Sequence, residues 1–226
     1  KILGVITAQD LVEAVDEEMG DDYAKLAGLT AEEDLNEPFK DSVKKRLPWL
    51  LLLLVLGLVV SSVVSIFEGV VQQITLVVAF QSLILDMAGN VGTQSLAVTI
   101  RVIMDEALSK KDERKLIFKE MRVGFTNGMI LGVLAFVAIG VYILVFKGKS
   151  VPFSFSVSGC IGISLLFAMV VSSLVGTVVP LFFKKINIDP AVASGPLITT
   201  VNDLVAVVSY YGIVWILLIN ILQLVE

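Results

Sequence analysis

The chain has no histidine and a single cysteine among its 226 residues. Without imidazole it lacks the nitrogen ligands that suit zinc, copper, iron and nickel, so a metal site here must be built from oxygen. With Cys160 alone, no intrachain disulfide can form. Cys160 lies in an apolar stretch, where packing is its expected role. No Gly-rich loop ending in Lys-Ser or Lys-Thr is present, which excludes that kind of phosphate cradle. No cleavable signal sequence and no long internal repeat are evident. Charge is scarcest near the C-terminus, where Ala191–Val225 carries one ionisable acid, Asp203, and no base.

Apolar residues are what the chain has in abundance. They make up 56% of it, and the mean hydropathy is +0.90. They gather in blocks long enough to cross about 30 Å of hydrocarbon, which predicts an all-α integral membrane protein with five transmembrane helices. The expected spans are Trp49 to about Ile66, Leu76–Met104, Val123–Phe146, about Phe155–Phe183 and Ala191–Val225. Before them, residues 8–27 predict an amphipathic helix, with Leu11, Val12, Val15, Met19, Tyr23 and Leu26 on one face. Thr7 or Asp10 is its expected cap. The opening residues read as an end strand and a helix start of a soluble domain, so the chain is expected to begin inside a larger protein. Residues 28–40 read as a polar linker.

The net charge of −5 is unevenly placed. Acid concentrates in residues 1–37, with Asp16, Glu17, Glu18, Asp21 and Asp22 in one run. Such a run is either a solvated face or an attractor of divalent cations. Base concentrates between spans, with four Lys/Arg at 40–46, seven at 101–122 and two at 184–185, against none at 67–75 and two at 147–149. With five spans, the rich segments fall on one side if the N-terminus is cytoplasmic and the C-terminus outside.

A carboxylate at bilayer depth costs about 2.5–3.5 kcal/mol on insertion scales and is tolerated where it faces protein or a wet cavity. Asp203 is therefore a candidate site. Around it Gly195, Thr199, Asn202 and Ala206 recur at helical spacing, and Pro196 is expected to disrupt the start of the span. The second span repeats the pattern. Asp86, Asn90, Thr93 and Ala97 share a face, and Gly89 and Gly92 each weaken a helix by about 1 kcal/mol relative to Ala. Both stripes have a second reading as polar and small-residue glue between helices, with Thr199 and Thr200 bonding back to their own helix. If they bind, carboxylate, amide, hydroxyl and carbonyl oxygens suit Mg²⁺ or Ca²⁺. Five spans rarely enclose a pore, whereas a parallel twofold dimer supplies ten and presents each axial residue twice.

The segment Ala88-Gly-Asn-Val-Gly-Thr-Gln94, with Arg101 and Lys119-Glu-Met-Arg-Val-Gly124, resembles the MgtE family of magnesium channels. Asp189-Pro-Ala-Val-Ala-Ser-Gly-Pro-Leu-Ile-Thr-Thr-Val-Asn-Asp203 resembles it as well. The resemblance implies a parallel homodimer with a central pore on the dyad, lined by the second and fifth spans, with Asp203 coordinating the ion and Asn90 and Thr93 at its entrance. It implies that residues 1–15 are the tail of a cystathionine-β-synthase-type (CBS) cytosolic domain, 16–47 an acidic connecting or plug helix with its linker, and 48–226 the pore domain. It further implies that Asp16, Glu17, Glu18, Asp21 and Asp22 belong to a cytosolic Mg²⁺-sensing surface. Three positions depart from the family. Ser82 and Asp86 stand where Pro and Gly are frequent, and Gly195 stands where Asn is frequent.

The combined expectation is a non-enzymatic, Mg²⁺-selective plasma-membrane channel, gated by cytosolic Mg²⁺ and driven by the ion's electrochemical gradient. The alternatives are a divalent-cation exchanger coupled to Na⁺ or H⁺, and a membrane anchor or sensor whose polar stripes only join helices.

Overall fold

A computed structural model describes residues 4–30, 35–73, 75–105, 108–193 and 195–223. Among them the fold is all helix, and five helices are long and apolar enough to cross a membrane. The first helix, α1 (Ala8–Leu26), opens with a capping box. The Thr7 hydroxyl accepts from the Asp10 amide at 3.2 Å, and the Asp10 carboxylate accepts from the Thr7 amide at 2.7 Å. Both expected caps thus act together, satisfying amides that the first turn leaves open. The helix ends in a Schellman turn, with the Leu29 amide bonded to the Ala24 carbonyl and the Gly28 amide to that of Lys25. Gly28 has φ +83°, and a Cβ there would lie 2.5 Å from Trp49, so both backbone and packing call for glycine.

No strand precedes α1 in residues 4–7, contrary to the expected end strand; a strand needs a paired neighbour. Residues 31–34, part of the expected linker, lie outside the described residues.

The first span, α2 (Phe39–Ile66), is longer than expected because the basic turn Lys40–Arg46 is helical and continuous with it. A short α3 (Glu68–Gln73) and a 3₁₀ turn (Thr75–Val77) lead into α4 (Val78–Asp105). The charged stretch 101–122 is divided between two helices. Arg101–Asp105 completes α4, and Lys110 begins α5 (Lys110–Phe146), capped by Ser109. The fourth span is α6 (Val151–Lys185). A 3₁₀ turn at Pro190–Val192 precedes α7 (Gly195–Val214), which continues as a π-helical segment, Trp215–Ile221.

Helix α6 is the central post, packed against α4, α5 and α7. Its buried residues Val157, Ile161, Leu165, Ala168 and Met169 meet Ile84, Ala88 and Val91 of α4 and Tyr210, Tyr211 and Val214 of α7. Helix α2 buries nothing completely and lies along α7.

Two expectations are corrected by the packing. Helix α4 runs unbroken through Ala88–Gln94, where a weak point was expected. The glycines let backbones approach instead. A Cβ on Gly176 would sit 2.2 Å from the Gly92 carbonyl oxygen, and one on Gly92 would sit 1.7 Å from the Asn202 amide nitrogen. Nor does Pro196 break α7. It is the second residue of that helix, where a missing N–H costs nothing because first-turn amides have no intrahelical acceptor.

Candidate functional site

Helices α4 and α7 meet along a polar seam whose closeness depends on Gly89 and Gly92. A Cβ on Gly89 would come within 3.0 Å of the Thr199 methyl. The Thr93 hydroxyl donates to the Gly89 carbonyl at 2.8 Å and lies 3.5 Å from the Thr199 hydroxyl. Thr200 donates back to the Pro196 carbonyl at 2.9 Å, as its alternative reading held. Thr93 therefore turns toward α7, while Asp86, Asn90 and Gln94 are left exposed on α4. Helical spacing grouped Thr93 with Asp86 and Asn90; the interhelical contact separates them.

One turn beyond Thr199, Asp203 is half-buried, and among the described residues no hydrogen bond or ion pair reaches its carboxylate. Its neighbour Asn202 is wholly buried against Gly92, and both of its amide atoms lack a hydrogen-bond partner. Farther along α7, Tyr210 donates to the Val77 carbonyl at 2.7 Å and Tyr211 to the Gln81 side chain, tying α7 to the start of α4.

The end of α1 closes on the same seam. Tyr23 and Leu26 of α1 with its C-cap Ala27, Thr93, Leu96 and Ala97 of α4, and Gly195 line a cleft of about 230 Å³. The Lys25 ammonium bonds Asp189 at 2.8 Å, joining α1 to the turn before α7, and Asp22 lies 4.0 Å from the same nitrogen. The bond to Asp189 holds Lys25 above its ordinary pKa. Burial, then the Asp189 charge, push Asp22 up. Burial also acts upward on Asp189, but its bonds from Lys25 and the Ala191 amide outweigh it and hold the group below the usual 3.8. The lysine–aspartate link was not anticipated, because 164 residues separate its partners.

Of the acidic run, Asp16, Glu17, Glu18 and Asp21 are exposed and Asp22 is partly buried. Among the described residues no group of three or more acids, cysteines or histidines is arranged to hold a metal. Sequence reasoning also missed Glu120, which is only 4% exposed and bonded to Ser95 and Ser173. It sits in a strongly charged stretch, and nothing in its own spacing separates it from its solvated neighbours.

The arrangement defines a polytopic helical membrane protein with an oxygen-lined seam between two of its spans. Residues 81–213 match the family described as MgtE, divalent cation transporter. The chain belongs to the MgtE family. It is 38% identical over 217 residues to the magnesium transporter MgtE of Enterococcus faecalis, 35% over 212 residues to that of Bacillus subtilis and 30% over 222 residues to that of Thermus thermophilus. These alignments cover 94%, 94% and 96% of this chain but 45%, 45% and 47% of the relatives. The chain thus spans a little under half the length of the curated relatives it matches.

Proposed function

We propose that two copies of this chain form a Mg²⁺-selective channel in the plasma membrane, with the pore on the dyad and the N-terminus cytoplasmic. The observation that carries this reading is the set of polar groups left open at membrane depth. Asp86, Asn90 and Gln94 are exposed on α4, and Asp203 is half-open without a partner. Hydrocarbon does not accommodate such groups, so they need water or a second copy. The relatives are named magnesium transporters, which supports Mg²⁺ as the cargo.

Two Asp203 carboxylates facing each other across the axis repel, and a dication between them relieves the repulsion. Mg²⁺ surrenders its water reluctantly. The amide of Asn90 and the hydroxyls of Thr93 and Thr199 suit outer-shell contacts to a hydrated ion, beside the close helix approach that Gly89 and Gly195 permit. At 100 mV, inside negative, the ion gains about 4.6 kcal/mol, two charges at about 2.3 each. No chemistry is catalysed and no energy source beyond the gradient is needed. The cleft between α1 and the seam fits α1 as a plug, docked by Lys25–Asp189 and answering cytosolic Mg²⁺ through the Asp16–Asp22 acids.

The test is Mg²⁺ flux through the purified protein in a bilayer, with and without Asp203→Ala. Current that tracks voltage without a Na⁺ or H⁺ gradient and disappears in the variant supports the channel. Flux that requires a counter-ion gradient replaces it with an exchanger. Undiminished flux in Asp203→Ala removes the site.

A further inference from the structure

Helices α5 and α6 cross with their backbones in contact. A Cβ on Gly132 would lie 2.8 Å from the Gly162 carbonyl oxygen, and one on Gly162 would lie 2.7 Å from that of Gly132. The crossing therefore requires both glycines. It does not require Gly159, where a Cβ would meet only the Phe136 ring, at 3.6 Å, an ordinary contact. The missing side chain leaves a recess of about 230 Å³ between the two helices, lined by apolar residues and glycine alone. Its rim is open, since Met129, Val133, Phe136 and Ile163 are all exposed. The recess lies within two membrane spans, so the medium that meets it is hydrocarbon.

We propose that this recess holds an acyl chain of an anionic phospholipid whose phosphate is bound by Arg122 and Lys115. Lys115, Arg122, Met129 and Phe136 recur every seven residues, so they keep to one face of α5, drifting about 20° per step. All four are exposed. One stripe thus runs from charge at the end of the span to the apolar rim of the recess. The recess begins at Gly128, about 9 Å beyond Arg122 at about 1.5 Å per residue. Each leaflet supplies about 15 Å of hydrocarbon, so a chain whose headgroup sits at Arg122 reaches it. The charge on this face has one sign. Glu113 and Glu120 point to the opposite side of α5 at about 100° per residue, and Asp112 is taken up by Ser109 at the helix cap. Among the described residues no acid pairs with Arg122. A guanidinium left open at a membrane interface suits a phosphate, which it can bind through two parallel hydrogen bonds. A second copy seated here about a twofold axis would bring the same face against itself, setting Arg122 and Lys115 near their own images. Like charges there disfavour that occupant.

The experiment is native mass spectrometry of the full chain released from nanodiscs that hold equal amounts of phosphatidylglycerol and phosphatidylcholine with the same acyl chains. The wild type is expected to retain phosphatidylglycerol over phosphatidylcholine by about fivefold or more, the attraction of one or two bases for an anionic headgroup. Arg122→Gln should weaken that preference while some lipid is still retained. Gly159→Leu fills the recess from its floor and should lower retention of both lipids without lowering the unfolding midpoint. If Gly159→Leu does lower the midpoint, Ile163→Phe gives the same readout, since it enlarges a side chain already exposed on the rim. Equal retention of the two lipids by the wild type overturns the proposal. So does retention that neither Gly159→Leu nor Ile163→Phe reduces. Loss of self-association in Gly159→Leu with lipid retention unchanged assigns the recess to a second copy and overturns the proposal as well. None of these readouts uses ion flux, so they stand or fall apart from the role given to Asp203.

Discussion

At Asp203 a carboxylate is held half-open one turn above Thr199, with no bond from the described residues to compensate for it. An ionised group so placed costs stability, and under the proposed function the dication it attracts offsets that cost. Asp203→Asn keeps the volume and removes the charge. Mg²⁺ flux in reconstituted vesicles is expected to fall at least tenfold, equivalent to about 1.4 kcal/mol, while the unfolding midpoint holds or rises. A fall in both midpoint and flux would identify Asp203 as a packing residue. Asp86 is exposed on α4, away from the seam contacts of Thr93. Asp86→Asn is expected to weaken divalent binding with little change in stability, since no packing depends on an exposed group; isothermal titration with Mg²⁺ checks it.

At the scale of elements, glycine contacts govern how closely α4, α6 and α7 pack. Gly176→Ala drives a methyl to 2.2 Å from a backbone oxygen of Gly92, which cannot rotate away. Overpacking of this kind costs about 1–3 kcal/mol. Gly92→Ala meets the Asn202 side chain, which can turn, so its penalty should be smaller. At Gly57 and Gly212 nothing lies within 4 Å, and alanine there should gain up to about 1 kcal/mol from helix propensity. Thermal unfolding in detergent ranks the four, and a Gly57→Ala loss equal to that of Gly176→Ala would refute the packing account.

The docking of α1 is also an element-scale matter. The Lys25 bond is partly exposed and is worth about 0.2–1 kcal/mol. The raised pKa of Lys25 makes its contribution complete below 10.5 and lost as pH rises through the folded value. The lowered pKa of Asp189 makes its contribution complete above 3.8 and lost as pH falls through the folded value. Asp22 acts in reverse, since its charge is penalised until acid neutralises it. Lys25→Ala should therefore speed proteolysis of the 28–38 linker across neutral pH, and wild type should approach that rate only at the two extremes. An unchanged rate at neutral pH would show that the apolar contacts of Leu26 and Trp49 dock α1 unaided.

At the scale of the molecule, the exposed stripe of α4 and the scarcely buried α2 leave surfaces that one copy cannot cover. Asn90→Cys in a Cys160→Ser background should form a disulfide between copies across the proposed axis. The native Cys160 is buried and does not compete. Failure to cross-link from Asn90, with cross-linking from the far face of α5, would move the axis and with it the pore.

Much of this was legible in the residues. Five blocks of apolar sequence gave five helices, because a backbone in hydrocarbon must satisfy its own hydrogen bonds. Thr7 and Asp10 marked the start of α1, because a capping box depends on chemistry within a few residues. Periodicity misjudged the glycines of α4, which read as weakness along the helix and serve as clearance between helices. It grouped Thr93 with Asn90, which a contact from α7 pulls apart. It passed over Glu120 and the Lys25–Asp189 bond altogether. The sequence alone determined where the chain enters the membrane and which oxygens it carries there, since solvation is a property of each segment. Only the tertiary structure decided which oxygens remain open and which are consumed by neighbours, because that depends on contacts between helices far apart in the chain.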